Sequence, residues 1–201
     1  MTLRDYFTVS PALRERIRTT AGAFPVLVAV GCVVQLLRPE TVTPLLDALS
    51  ALVEDKALAG ADSAVLMAAI LTNNLSALFT AMFLGLIPFI RLPAMELGLN
   101  AMLLGAMGSY YRQHGLSLAA YLAGTLPHGV TELSALVLAI AAGLHICRAV
   151  SDSLLRRGEK GAVGRAIGEA LLLYARFIVP LLLISAFIEA YVTPSLLERF
   201  L

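Results

Sequence analysis

The chain has 201 residues, of which 59% are hydrophobic and 14% charged, with a formal net charge of +1 and a mean hydropathy of +0.83. Soluble domains carry roughly 25% charged residues, so an ordinary soluble globular fold is excluded. The small net charge and the absence of any recognisable RNA- or DNA-binding motif exclude a nucleic-acid binder.

What remains is a single all-α integral membrane domain over residues 1–201, a polytopic helix bundle. Its apolar residues fall in blocks and not in stripes, the pattern of membrane spans. The N-terminal stretch carries both charge signs and no small-residue cleavage site follows it, so it reads as leading into an uncleaved first span. Within it Leu13 and Ile17 share one face while Arg14, Glu15, Arg16 and Arg18 take the rest. That pattern predicts a helix lying along the membrane surface. The first span covers residues 21–37. In the connection that follows, Val42, Leu45, Leu46, Leu49, Leu52 and Val53 keep helical spacing and predict an external amphipathic helix. The second span covers residues 63–90 and the third 97–111.

Residues 116–126 are apolar but too few to cross a bilayer, so they predict an interfacial or re-entrant half-helix ending at Pro127. The fourth span is 129–147, about 28 Å long at 1.5 Å per residue. A cytoplasmic amphipathic segment, 149–168, precedes the fifth span at 170–191. Most of the fifteen Lys and Arg residues lie before the first span, at Arg91, and between Arg148 and Arg165. This asymmetry predicts a plasma (inner) membrane protein with its N-terminus cytoplasmic and its C-terminus external. The two cysteines, Cys32 and Cys147, then lie near opposite faces, too far apart for a disulfide. Ala101, Gly105 and Ser109, and Ala135, Ala139 and Gly143, form ridges of small residues that let helices approach closely. Packing within one protomer is the default use of such ridges, with a homodimer as the alternative.

Five polar side chains lie where lipid is expected: Asn73, Asn74, His128, Glu132 and Glu189. Such groups are costly in a membrane and usually serve packing or function. His128 and Glu132 are four residues apart and share a helix face. Thr125 is the expected N-cap and Pro127 the expected first-turn residue of that helix. Glu132 would then lie near the positive end of the helix dipole. Ser185 stands one turn before Glu189. The topology brings all five toward one pocket in the outer half of the membrane.

Three uses fit such a pocket. It can be architectural, with asparagines bridging helices and the His–Glu pair satisfying backbone beside Pro127. It can bind a lipid headgroup, an ion or a partner segment. It can hold a divalent metal on His128, Glu132 and Glu189, one imidazole and two carboxylates with an open position. No cofactor is otherwise expected. The spacing is not the H-E-x-x-H signature and no serine lies in a nucleophile elbow, so a non-enzymatic membrane scaffold is the leading expectation. The alternative is an intramembrane metal-dependent enzyme or an ion or lipid transporter.

The chain resembles the stage II sporulation protein M-like integral membrane proteins. The resemblance rests on Asn73-Asn74, on Gly85 within Phe83-Leu84-Gly85-Leu86, and on Asn100 with Leu103, Leu104 and Gly105. It continues through Leu126-Pro127-His128-Gly129-Val130-Thr131-Glu132, Ala142-Gly143-Leu144 and Ile188-Glu189-Ala190-Tyr191-Val192-Thr193-Pro194. It implies a plasma-membrane protein of about five spans. The family's founding member acts in engulfment during sporulation, where it anchors peptidoglycan-degrading proteins. Membrane lipids and membrane-protein or cell-wall-enzyme partners are the partners it implies. Arg91-Leu92-Pro93-Ala94 departs from the family's Gly-rich turn, and Arg176 from a small or apolar position.

Overall fold

Ser10 opens the first helix. Its Oγ accepts a hydrogen bond from the Leu13 N–H at 3.3 Å, and Pro11 occupies the first turn, where its missing N–H costs nothing. The computed structural model describes residues 9–40, 42–44, 46–47, 62–115 and 117–197, and every regular element among them is helical. Helix α1 is Pro11–Leu37. Helix α2, Ser63–Phe83, is capped by Asp62, whose carboxylate accepts from the Ala64 N–H at 3.1 Å. It tightens into a 3₁₀ turn at Leu84–Leu86. Helix α3 is Leu92–Gln113 and α4 is Leu118–Leu154. Helices α5 (Ala162–Leu173), α6 (Val179–Phe187) and α7 (Thr193–Leu197) follow one another through π turns at Tyr174–Ile178 and Ile188–Val192.

Four of the described helical stretches are long and apolar enough to cross a membrane: Pro11–Leu37, Ser63–Leu86, Leu118–Leu154 and Ala162–Leu196. The protein is an all-α membrane helix bundle. The third expected span corresponds to α3, which has 22 residues but carries Glu96, Asn100 and Arg112 and is not among those four.

Two expected boundaries are corrected. The half-helix expected at 116–126 does not end at Pro127; residues 118–126 of it are the first part of α4, which runs unbroken for 37 residues with Pro127 inside it. Ser117 and not Thr125 caps this helix, its Oγ accepting from the Ala120 N–H at 3.2 Å. A proline in a helix interior leaves one carbonyl unbonded and crowds the preceding turn, but here the helix continues on both sides. Glu132 therefore lies almost four turns inside α4, beyond reach of the dipole's positive end. The amphipathic N-terminal segment is likewise not a separate surface helix. It is the first turns of α1, and Leu13 is fully buried against Met82, Ile146, Ala166 and Ala170. The amphipathic helix expected at 42–53 falls largely outside the described residues.

Lipid is as apolar as leucine, so helices in a membrane associate through close packing and hydrogen bonds more than through a hydrophobic drive. The small-residue ridges supply that packing within one chain. A Cβ added at Gly105 would lie 1.9 Å from the Val28 carbonyl oxygen, and one at Gly31 would lie 2.0 Å from that of Met102. The backbones of α1 and α3 are thus in direct contact. Ser109 Oγ donates to the Cys32 carbonyl at 3.3 Å and Cys32 Sγ to the Gly105 carbonyl at 3.1 Å along the same seam. At one end Gln35 Nε2 donates to Gln113 Oε1 at 3.0 Å. Helix α4 runs through the centre and touches every other long helix. Its Ala135 and Ala139 are fully buried, and a Cβ at Gly143 would lie 2.9 Å from the Met82 carbonyl oxygen. Outward-facing Val26, Val30, Leu126, Val130, Leu183 and Phe187 are exposed, a surface suited to hydrocarbon. Cys32 and Cys147 are both free thiols.

Candidate functional site

The C-terminal helix is shaped by two prolines. Pro180 and Pro194 each lie two residues beyond the end of a π turn, Tyr174–Ile178 and Ile188–Val192 respectively. A proline ring crowds the carbonyl four residues earlier, and widening the preceding turn by one residue makes room for it. In each case the residue just before the proline, Val179 or Thr193, donates its N–H across the wide turn, to Tyr174 O or Ile188 O. π turns of this kind recur at functional sites. The second one carries Glu189 and is followed at once by Thr193, and both side chains face α4.

There the structure brings three predicted residues together. His128, Glu132 and Glu189 each offer one ligand atom, all within 4.8 Å of one another, and all three side chains are half-buried. Thr193 Oγ donates to the Ile188 carbonyl at 3.3 Å and lies 3.4 Å from His128 Nδ1. In the tautomer that carries its proton on Nδ1, that hydroxyl would accept from Nδ1–H, which would leave the Nε2 lone pair free for a ligand. The fully buried Ser185 donates to the His128 carbonyl at 3.2 Å, and Thr131 donates to the same oxygen at 2.8 Å. Gly129 is buried beside them.

Two carboxylates this close repel one another strongly where water is scarce. A cation between them relieves the repulsion, and the imidazole supplies a third ligand. Ligands of a tetrahedral site with bonds near 2.0–2.1 Å stand roughly 3.3 Å apart, so modest side-chain rotation closes this group around an ion.

Asn73 and Asn74 do not join that trio. They line a separate cavity of about 220 Å³, together with Glu132, Glu96 and Asn100. Asn73 Nδ2 donates to Asn74 Oδ1 at 3.3 Å, and Asn100 Nδ2 donates to the Glu96 carbonyl at 2.9 Å. Glu132 is the residue shared between the trio and the cavity. Glu96 escaped the sequence reading because the third span was begun at residue 97. Its i, i+4 spacing to Asn100, the same spacing as His128 to Glu132, is the signal that finds it. A second titratable group sits at the far end of α4. His145 Nε2 lies 3.3 Å from Glu169 Oε2, which also accepts from Ser10 Oγ at 2.6 Å, so α1, α4 and α5 are tied together there.

The family model for stage II sporulation protein M matches residues 20–194. An uncharacterised protein of the archaeon Methanocaldococcus jannaschii is 35% identical over 127 residues, covering 63% of this chain and 70% of that protein. No solved structure matches the chain. The matched region holds α2 to α6 entire, the His128–Glu132–Glu189 trio and the cavity beside it. The chain belongs to the stage II sporulation protein M family.

Proposed function

We propose that this protein is a plasma-membrane scaffold in which His128, Glu132 and Glu189 hold a divalent cation that fastens the C-terminal helix to α4. The observation that supports it is the convergence, from two helical segments, of an imidazole and two carboxylates with ligand atoms within 4.8 Å. Residues 128 and 189 are distant in sequence, so an ion there would act as a cross-link between the centre of the bundle and its last helix. A bundle fastened in this way offers a rigid platform for a partner at the cell envelope, in keeping with the anchoring role in the family's founding member. The N-terminus is cytoplasmic and the C-terminus external on this reading.

The test is elemental analysis of the purified full chain together with thermal melting in added Zn²⁺ or Mn²⁺. Near-stoichiometric metal is expected, with a raised melting temperature in wild type and no such rise in His128→Ala or Glu189→Gln. Wild-type protein that carries no metal and melts at the same temperature with and without added ion would overturn the reading.

The cavity of about 220 Å³ beside Glu132 favours a second reading, an ion-handling protein in which Asn73, Asn74, Asn100 and Glu96 extend a polar route from the trio. Ion flux into proteoliposomes that is abolished by Glu132→Gln and slowed by Glu96→Gln would support it over a scaffold.

A further inference from the structure

A different cavity lies among residues of α1, the turn before α3 and the end of α4, near the residues expected to be cytoplasmic. It has a volume of about 320 Å³, and Arg16, Arg91, Arg148 and Arg157 all line it against a single carboxylate, Asp152. Arg148 Nε already bonds Asp152 at 2.5 Å. No hydrogen bond or ion pair occupies the guanidinium groups of Arg16, Arg91 or Arg157 among the described residues. Three guanidinium groups without a protein partner thus border one space, Arg16 part-buried and Arg91 and Arg157 open to solvent, a setting that suits an anion. Planar forked donors of this kind suit phosphate oxygens in particular.

The backbone marks the same place. Phe89, Arg91 and Arg156 are the non-glycine residues with left-handed φ among those described, at 68°, 52° and 56°. Phe89 and Arg91 line the cavity, and Arg156 immediately precedes Arg157. Non-glycine residues held in this region are uncommon and gather at ligand-binding positions. The Phe89 N–H is fixed by Ser151 Oγ at 3.1 Å, which locks the turn against α4.

We propose that this cavity binds the phosphate of an anionic phospholipid. Three features favour a lipid over a free phosphate. The arginines share the lining with Phe89, Leu144 and Leu155, an amphiphilic wall. Ile90 and Leu154 beside it are 61% exposed, giving an acyl chain apolar surface to follow. The space, about 320 Å³, is also more than a bare phosphate needs. Basic pockets between membrane helices bind such headgroups by this chemistry. The site stands apart from the His128 trio and does not depend on it.

Native mass spectrometry of the purified full chain tests the assignment, with phosphatidylglycerol and phosphatidylcholine of matched acyl chains and with inorganic phosphate as competitor. One phosphatidylglycerol is expected to be retained in preference to phosphatidylcholine. Arg157→Gln and Arg91→Gly should each weaken it roughly fivefold, while Arg165→Gln, whose arginine pairs with Glu159 at 2.7 Å outside the cavity, leaves it unchanged. Glycine adopts the φ of residue 91 without strain, so Arg91→Gly should melt no lower than wild type and its lost binding is not lost folding. Equal retention of the two lipids, or equal weakening by Arg165→Gln, overturns the proposal. Displacement of the lipid by millimolar phosphate would assign the site to free phosphate instead.

Discussion

A methyl group at residue 105 has nowhere to go. Its Cβ would lie 1.9 Å from the Val28 carbonyl oxygen, and neither backbone can yield without separating α1 from α3. Gly105→Ala is therefore expected to destabilise the bundle by about 1–3 kcal/mol, the usual range for overpacking. Gly22→Ala, with nothing within 4 Å of the added carbon, should instead stabilise α1 by about 0.5–1 kcal/mol. Thermal melting in one detergent compares the two, and a similar loss in both would contradict the seam. Thr193 permits a second comparison. Because its hydroxyl fixes the His128 ring, Thr193→Val should weaken metal binding by about 10–100-fold, as for other partners that orient a ligand. Calorimetric titration with Zn²⁺ measures this, and unchanged affinity would show that the ring needs no such support.

At the scale of elements, the C-terminal helix depends on its prolines. If Pro194 widens the turn ahead of it, Pro194→Ala lets residues 188–192 relax toward an α turn. One residue of register is about 100° of rotation, which carries Thr193 away from His128. Pro194→Ala should then reproduce the metal-binding loss of Thr193→Val while leaving helical content by circular dichroism unchanged. Full affinity in this variant would mean that packing and not proline holds the π turn. The element scale is also where sequence reading met its limit. The pairing of His128 with Glu132 was legible because α-helical periodicity is local. The approach of Glu189 was legible only as a topological expectation, since a proline does not by itself announce a π turn, as Pro127 within α4 shows. Pro127 misled because proline in lipid-embedded helices is tolerated where neighbours re-satisfy the backbone, so the same residue that ends a soluble helix lies inside α4. Glu96 was obscured by a boundary drawn one residue too late, whereas Asn100 lay inside the expected span.

The whole molecule is an arrangement of helices around α4, and its orientation can be tested directly. After replacement of Cys32 and Cys147, single cysteines at Arg38 and at Arg157 should react with a membrane-impermeant maleimide from opposite faces of intact cells and inverted vesicles. Labelling of both from one face would refute the topology on which the scaffold reading rests. The membrane character itself was plain from composition, because 59% hydrophobic residues in long blocks leave few other folds. The partners that meet across helices were less plain: the ridge ending at Gly143 is legible from its spacing, but nothing in that spacing says that Gly85 packs on it, or that Gly31 packs on Met102. The length of α4 has a mechanical consequence. Its 37 residues extend about 55 Å, whereas the bilayer with its headgroups is roughly 40–45 Å thick. The helix must lean, by as much as about 40°, or project into water. His128 and Arg148 ride on this one rod, so membrane thickness sets the depth of both at once, and a change in lipid chain length moves them together.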